Sequence, residues 1–111
     1  MALTSRLPDN VVSQFGYETV AASQTAQALG ATGRAGDLLH GLLIVPANTS
    51  PGAVAIKDGA DAAITVFTGG ATSVDDLTPM VVDIDAKSAS GAWKITTGAN
   101  ISVIAVGDFS G

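Results

Sequence analysis

Short runs rich in β-branched residues recur along this chain at intervals of roughly ten residues, and each is closed off by Gly, Pro, Asn, Asp or Ser. That punctuation constrains the fold more than any other feature, because it is the pattern of a sandwich or barrel built from brief strands. Eight runs are predicted as strands: Gly16–Ser23, Thr25–Leu29, Asp37–Pro46, Ala53–Lys57, Ala62–Phe67, Leu77–Asp85, Ala92–Thr97 and Asn100–Gly107. In VVDID, Val82 and Ile84 fall on one face while Asp83 and Asp85 fall on the other, which is strand alternation. Trp93, Ile95 and Thr97 likewise share a face opposite Lys94 and Thr96. The stretch SQTAQALG favours helix by composition but is too short and too uncapped to prefer one.

Residues 1–15 mix polar and apolar side chains without a period, and Pro8-Asp9-Asn10 signals a turn. They are expected to form an extended arm before a single β domain at 16–111. A chain of 111 residues has room for one core. With 47% hydrophobic but only 5% aromatic residues, that core must be built from Val, Ile, Leu and Ala.

Two turns stand out. Asp58-Gly59, between AVAIK and AAITVF, predicts a tight hairpin over Ala53–Phe67, since both residues tolerate positive φ. The stretch SGAWKITTGANISVIAVGDF predicts a second hairpin, with Gly98 supplying the unusual backbone conformation in TTGAN. LLHGLLIVP and ISVIAV are apolar on both faces. They are expected to be central strands, covered on one side by the core and on the other by something else.

Charge and motifs narrow the function. Five Lys and Arg stand against ten Asp and Glu, for a net charge of -5. This disfavours nucleic acid, whose binding relies on cations that release counterions, and anionic membranes for the same reason. No uninterrupted apolar run is longer than Leu42–Val45, which is far short of the roughly 20 residues that span a bilayer. MALTSRLPDN has no apolar signal region, so synthesis in the cytosol is expected. Without cysteine there is no disulfide framework, thiolate nucleophile or Cys-based zinc site.

His40 is the only histidine, which excludes a two-histidine metal site within one chain, and there is no G-x-S-x-G elbow to pair with it. Asp75-Asp76 and Asp83-Ile84-Asp85 are the carboxylate clusters. DIDAKSASGAWK fails as a calcium loop, with Ser88 where Gly is required and Lys94 where Glu is required. These acids are read as solvated strand and turn positions. GATGRAG lacks dinucleotide spacing and is read as a loop. Trp93, in phase with Ile95, is expected inside the core rather than as an exposed anchor. No catalytic, cofactor-binding or metal-binding residue is assigned, and no enzyme activity is expected.

Taken in order, FGYETVAASQTAQALGATGRAGDLLHGLLIVPANTSPGAVAIKDG, VFTGG and SGAWKITTGANISVIAVGDF resemble the small head-decoration, or cement, proteins of tailed bacteriophages and prophages. The resemblance implies a jelly-roll-like β-sandwich on the outer surface of the virion, assembled in the host cytoplasm. It further implies a homotrimer at or near three-fold positions that clamps subunits of the major capsid protein. Arg6, Leu7 and Phe15 are the arm residues expected to touch the capsid. His40, Leu42 and Ile104 are those expected at the interface between copies. The alternative is a carbohydrate- or receptor-binding module on a virion fibre, using Trp93 or Tyr17 as its platform.

Overall fold

The computed structural model describes residues 16–109, and these are all β, with no helix among them. The strands are β1 (Gly16–Val20), β2 (Gln27–Ala28), β3 (Leu38–Pro46), β4 (Val54–Asp58), β5 (Ile64–Phe67), β6 (Met80–Lys87), β7 (Trp93–Thr97) and β8 (Ile101–Asp108). They form two antiparallel sheets of four, ordered β1-β8-β3-β6 and β2-β7-β4-β5. The sheets pack as a sandwich around one core. The first contributes Val20, Leu39, Leu42, Ile44, Ile101, Val103 and Ala105, and the second Val54, Ile56, Trp93 and Ile95, with Leu29 just after β2.

All eight expected runs yield strands, and where the ends differ the backbone gives the reason. β2 is only two residues long because Ser23 and Ala26 adopt positive φ. The chain beside them bonds β7 through side chains, with Gln24 N–H donating to Thr97 Oγ1 at 3.0 Å and Ala26 N–H to Thr96 Oγ1 at 2.9 Å. β6 begins at Met80 rather than Leu77. Asp76 Oδ1 accepts from Thr78 N–H at 3.0 Å in a side-chain turn, and Pro79 has no N–H to offer a ladder.

The β4–β5 hairpin forms as expected, but its connection spans residues 59–63 and is not a two-residue turn. Gly59 does adopt positive φ, +59°. The Asp58 carboxylate, however, turns to the loop before β7, accepting from Ala89 N–H and Ser90 N–H at 2.9 Å each. Gly59 lies so close to that loop that an added Cβ would meet the Ser90 backbone at 2.6 Å.

The second expected hairpin does not form. β7 lies between β2 and β4, whereas β8 lies between β1 and β3, so the chain changes sheets at TTGAN. The cause is a backbone crossing at Gly52 and Gly98. Gly98 N–H donates to Ala53 O and Gly52 N–H to Ala99 O, both at 2.8 Å, and a Cβ on Gly98 would meet Gly52 Cα at 2.8 Å. Asn100, with φ +62°, takes the left-handed conformation assigned above to Gly98. Ala47 N–H then bonds Asn100 O at 2.8 Å and draws the chain beside β3.

Two outcomes follow. Gly98→Ala places a methyl against backbone that cannot move aside, and is expected to cost about 1–3 kcal/mol, read as a lower denaturant midpoint. The Ser90 and Ala89 N–H groups hold the Asp58 carboxyl below its ordinary 3.8. That contribution is present above 3.8 and is lost as pH falls through the lower folded value. Asp58→Asn is therefore expected to reduce the melting temperature near neutrality and to change it little in strong acid; an equal loss at both would assign the effect to something other than the charge.

Candidate interaction surface

The middle strands of the first sheet, β8 and β3, are those whose sequences are apolar on both faces. In β8, Ile101, Val103 and Ala105 point into the core, so Ser102, Ile104 and Val106 face outward. In β3 the alternation is broken by a bulge at His40, and Leu39 and Leu42, three residues apart, both point inward. Leu43 and Val45 are left on the outside, each half-buried. β6 then alternates regularly, with Val82 and Ile84 half-buried and Val81, Asp83 and Asp85 exposed.

The register aligns these residues into rows that cross the whole sheet. One runs Thr19, Ile104, Leu43, Val81, and the next runs Tyr17, Val106, Gly41, Asp83. Tyr17 on β1 is 70% exposed and Val81 on β6 is 73% exposed, so the apolar band ends in a large uncovered side chain at each edge. This band is the candidate contact surface of the domain, since contiguous apolar patches on a protein surface are often functional. Over Gly41 lies a shallow groove of about 250 Å³, lined by Leu43, Val81 and Val106 together with His40 and Asp83.

The bulge also brings together two residues that the sequence singled out separately. His40 Nδ1 lies 2.5 Å from Asp85 Oδ1 at the rim of this face. The pair is open to solvent on both sides. No group of three His, Asp or Glu side chains suited to a metal ion occurs among the described residues.

Of the residues expected between copies, His40 and Ile104 lie on the outer face. Leu42 does not: it is 2% exposed and belongs to the core. Strict alternation through LLHGLLIVP would put His40 and Leu42 on one face, and the bulge between them removes that relation. Leu43 holds the outer position instead. Arg6, Leu7 and Phe15 lie outside the described residues. Tyr17, named from the sequence only as a platform for the alternative reading, is exposed on this face; Val81 and Val106 were missed, although Val81 shares its strand phase with Asp83 and Asp85, which is a signal that an apolar side chain stands on the solvent side. Trp93 is 4% exposed, and its Nε1–H donates to Asp37 O at 3.0 Å, so it is a core residue and offers no platform for a sugar.

Comparison with protein-family profiles, curated proteins and solved structures finds no match.

The assignment of faces has a direct check. Leu42→Ala is expected to cost about 2–5 kcal/mol on chemical unfolding, as a fully buried leucine does. Leu43→Ala, on the outer face, should cost well under half as much in dilute monomer.

Proposed function

We propose that this chain is a structural virion protein whose jelly-roll domain decorates and stabilises the head of a tailed phage. In this reading it bridges major capsid protein subunits as a homotrimer at or near three-fold positions, on the outer surface of the virion. It needs no cofactor and performs no catalysis, and neither nucleic acid nor membrane is its partner. The arm, through Arg6, Leu7 and Phe15, adds contacts to the capsid.

The observation that carries this reading is the apolar outer face of the β1-β8-β3-β6 sheet, with Tyr17, Leu43, Val81, Ile104 and Val106 turned away from a core that is complete without them. A protein that works by joining subunits needs surface of this kind and no reactive centre. Strand order supports the jelly-roll assignment. The pairings β1·β8, β2·β7, β3·β6 and β4·β5 are those of one long antiparallel hairpin rolled into two sheets, an architecture used by viral capsid domains among others. Attachment by many copies makes modest contacts sufficient, because each added site multiplies the effect of the others.

Light scattering is expected to give about 33 kDa, three times the chain's 11.0 kDa. The protein should co-sediment with expanded heads that lack it and should raise their resistance to heat. A species of single-chain mass would remove the trimer, and heads that neither bind nor gain stability would remove the decorating role.

A further inference from the structure

We infer that Asp58-Gly59 is a modification site of this chain, at which the aspartate isomerises through a cyclic imide when the loop at residues 88–92 lifts away, and that the closed loop prevents the reaction. The inference stands apart from the function proposed above and needs no reactant other than water.

The sequence makes this the susceptible place. In the imide-forming step the backbone nitrogen of the following residue attacks the aspartate Cγ, a C–N bond forms, and the carboxyl hydroxyl leaves with the amide proton as water. Water then adds back to the ring. Opening at the side-chain carbonyl restores aspartate, whereas opening at the main-chain carbonyl leaves the backbone running through Cγ as isoaspartate. One water leaves and one returns. Ring closure is least hindered where the attacking nitrogen belongs to glycine, which has no Cβ. Asp58 is the only aspartate followed by glycine, and Asn10, Asn48 and Asn100 all precede β-branched residues.

The fold withholds everything the reaction needs. The Asp58 carboxylate accepts from Ala89 N–H and Ser90 N–H at 2.9 Å each, bonds that favour its charged form, and an ionised carboxylate has no hydroxyl to lose. The nucleophile is engaged as well, since Gly59 N–H donates to Ala92 O at 3.0 Å. Space is also lacking: Gly59 is buried, and a Cβ built on it would meet the Ser90 carbonyl carbon at 2.6 Å and Gly91 N at 2.7 Å. All three restraints come from one loop, so its release removes them together. Ala89 and Ser90 are exposed and belong to no part of the core, which lets the loop open without unfolding the sheets. Isoaspartate adds one carbon to the main chain and takes one from the side chain. Its carboxylate cannot meet both N–H groups while β4 keeps residue 58 opposite Trp93, so a modified chain recloses without the lock.

The test is to incubate the full chain at neutral pH, folded and in concentrated urea, and to map its peptides by electron-transfer fragmentation, which distinguishes the two linkages. Isoaspartate is expected at residue 58 ahead of every other aspartate in the unfolded chain, and to form there at least about tenfold more slowly in the folded one. Ser90→Pro removes one N–H from the carboxylate and is expected to raise the folded-state rate severalfold while leaving the rate in concentrated urea unchanged. Should that variant not fold, wild-type protein in urea below its unfolding transition replaces it, with the rate expected to rise before the sheets are lost. An unfolded chain that isomerises no faster at Asp58 than at its other aspartates would overturn the site. Equal rates in the folded and unfolded chain, or a folded Ser90→Pro variant with the wild-type rate, would overturn the role of the loop.

Discussion

Around Gly52 and Gly98 two stretches of backbone pass so closely that neither position can carry a side chain, and the rest of the architecture depends on that crossing. Adjacent antiparallel strands joined by a short connection ordinarily pair with each other. Here the connection is pinned to residues 52 and 53 by two backbone hydrogen bonds, and Asn100 turns the chain away from β7. β8 is thereby delivered to the opposite sheet, where it lies between β1 and β3. Had β7 and β8 formed a hairpin, β3 would have kept a free edge, and the two strands with apolar outer faces would not lie side by side. The apolar outer face of the first sheet is thus a consequence of a contact made in the connection between the two sheets.

The second determinant is the bulge at His40. It shifts the phase of β3 so that Leu39, Leu42 and Ile44 all reach the core while Leu43 and Val45 stay outside. It also sets the imidazole beside the Asp85 carboxylate, whose own residue has a positive φ of 52°. A regular strand would have spent either Leu39 or Leu42 on the outer face and opened a void within. The irregularity therefore serves the core and the surface together.

This division explains what could be read in the sequence. Features set by neighbours along the chain were legible: the eight strands, the alternation in VVDID, the inward Trp93 and the hairpin over Ala53–Phe67. So was the two-faced character of LLHGLLIVP and ISVIAV, which identified the central strands and hence the candidate surface. Features set by long-range register were not. Whether β7 pairs with β8 or with β4 depends on Gly52 as well as on Gly98 and Asn100, and Gly52 is more than 40 residues away from Gly98, so TTGAN alone does not decide it. The His40–Asp85 pair joins positions 45 apart and exists only in one register. Leu42 was misplaced because leucines flank His40 and Gly41 on both sides, so a bulge there leaves no mark in the pattern.

The edges of the first sheet bear on how such a surface can be used. β6 is an edge strand of eight residues, long enough to recruit another chain by strand addition, which would lead to open-ended association. It presents Asp83, Asp85 and Lys87 to solvent, and such charges discourage a further strand. The other edge, β1, is only five residues long. With its edges guarded, the sheet leaves its apolar outer face as the direction in which burial is most favourable. A face, unlike an edge, can be matched to a limited number of partners by the shape of individual side chains. The guarding of β6 and the apolar band beside it act together: the edge is closed to a further strand while the outer face of the sheet keeps its apolar side chains.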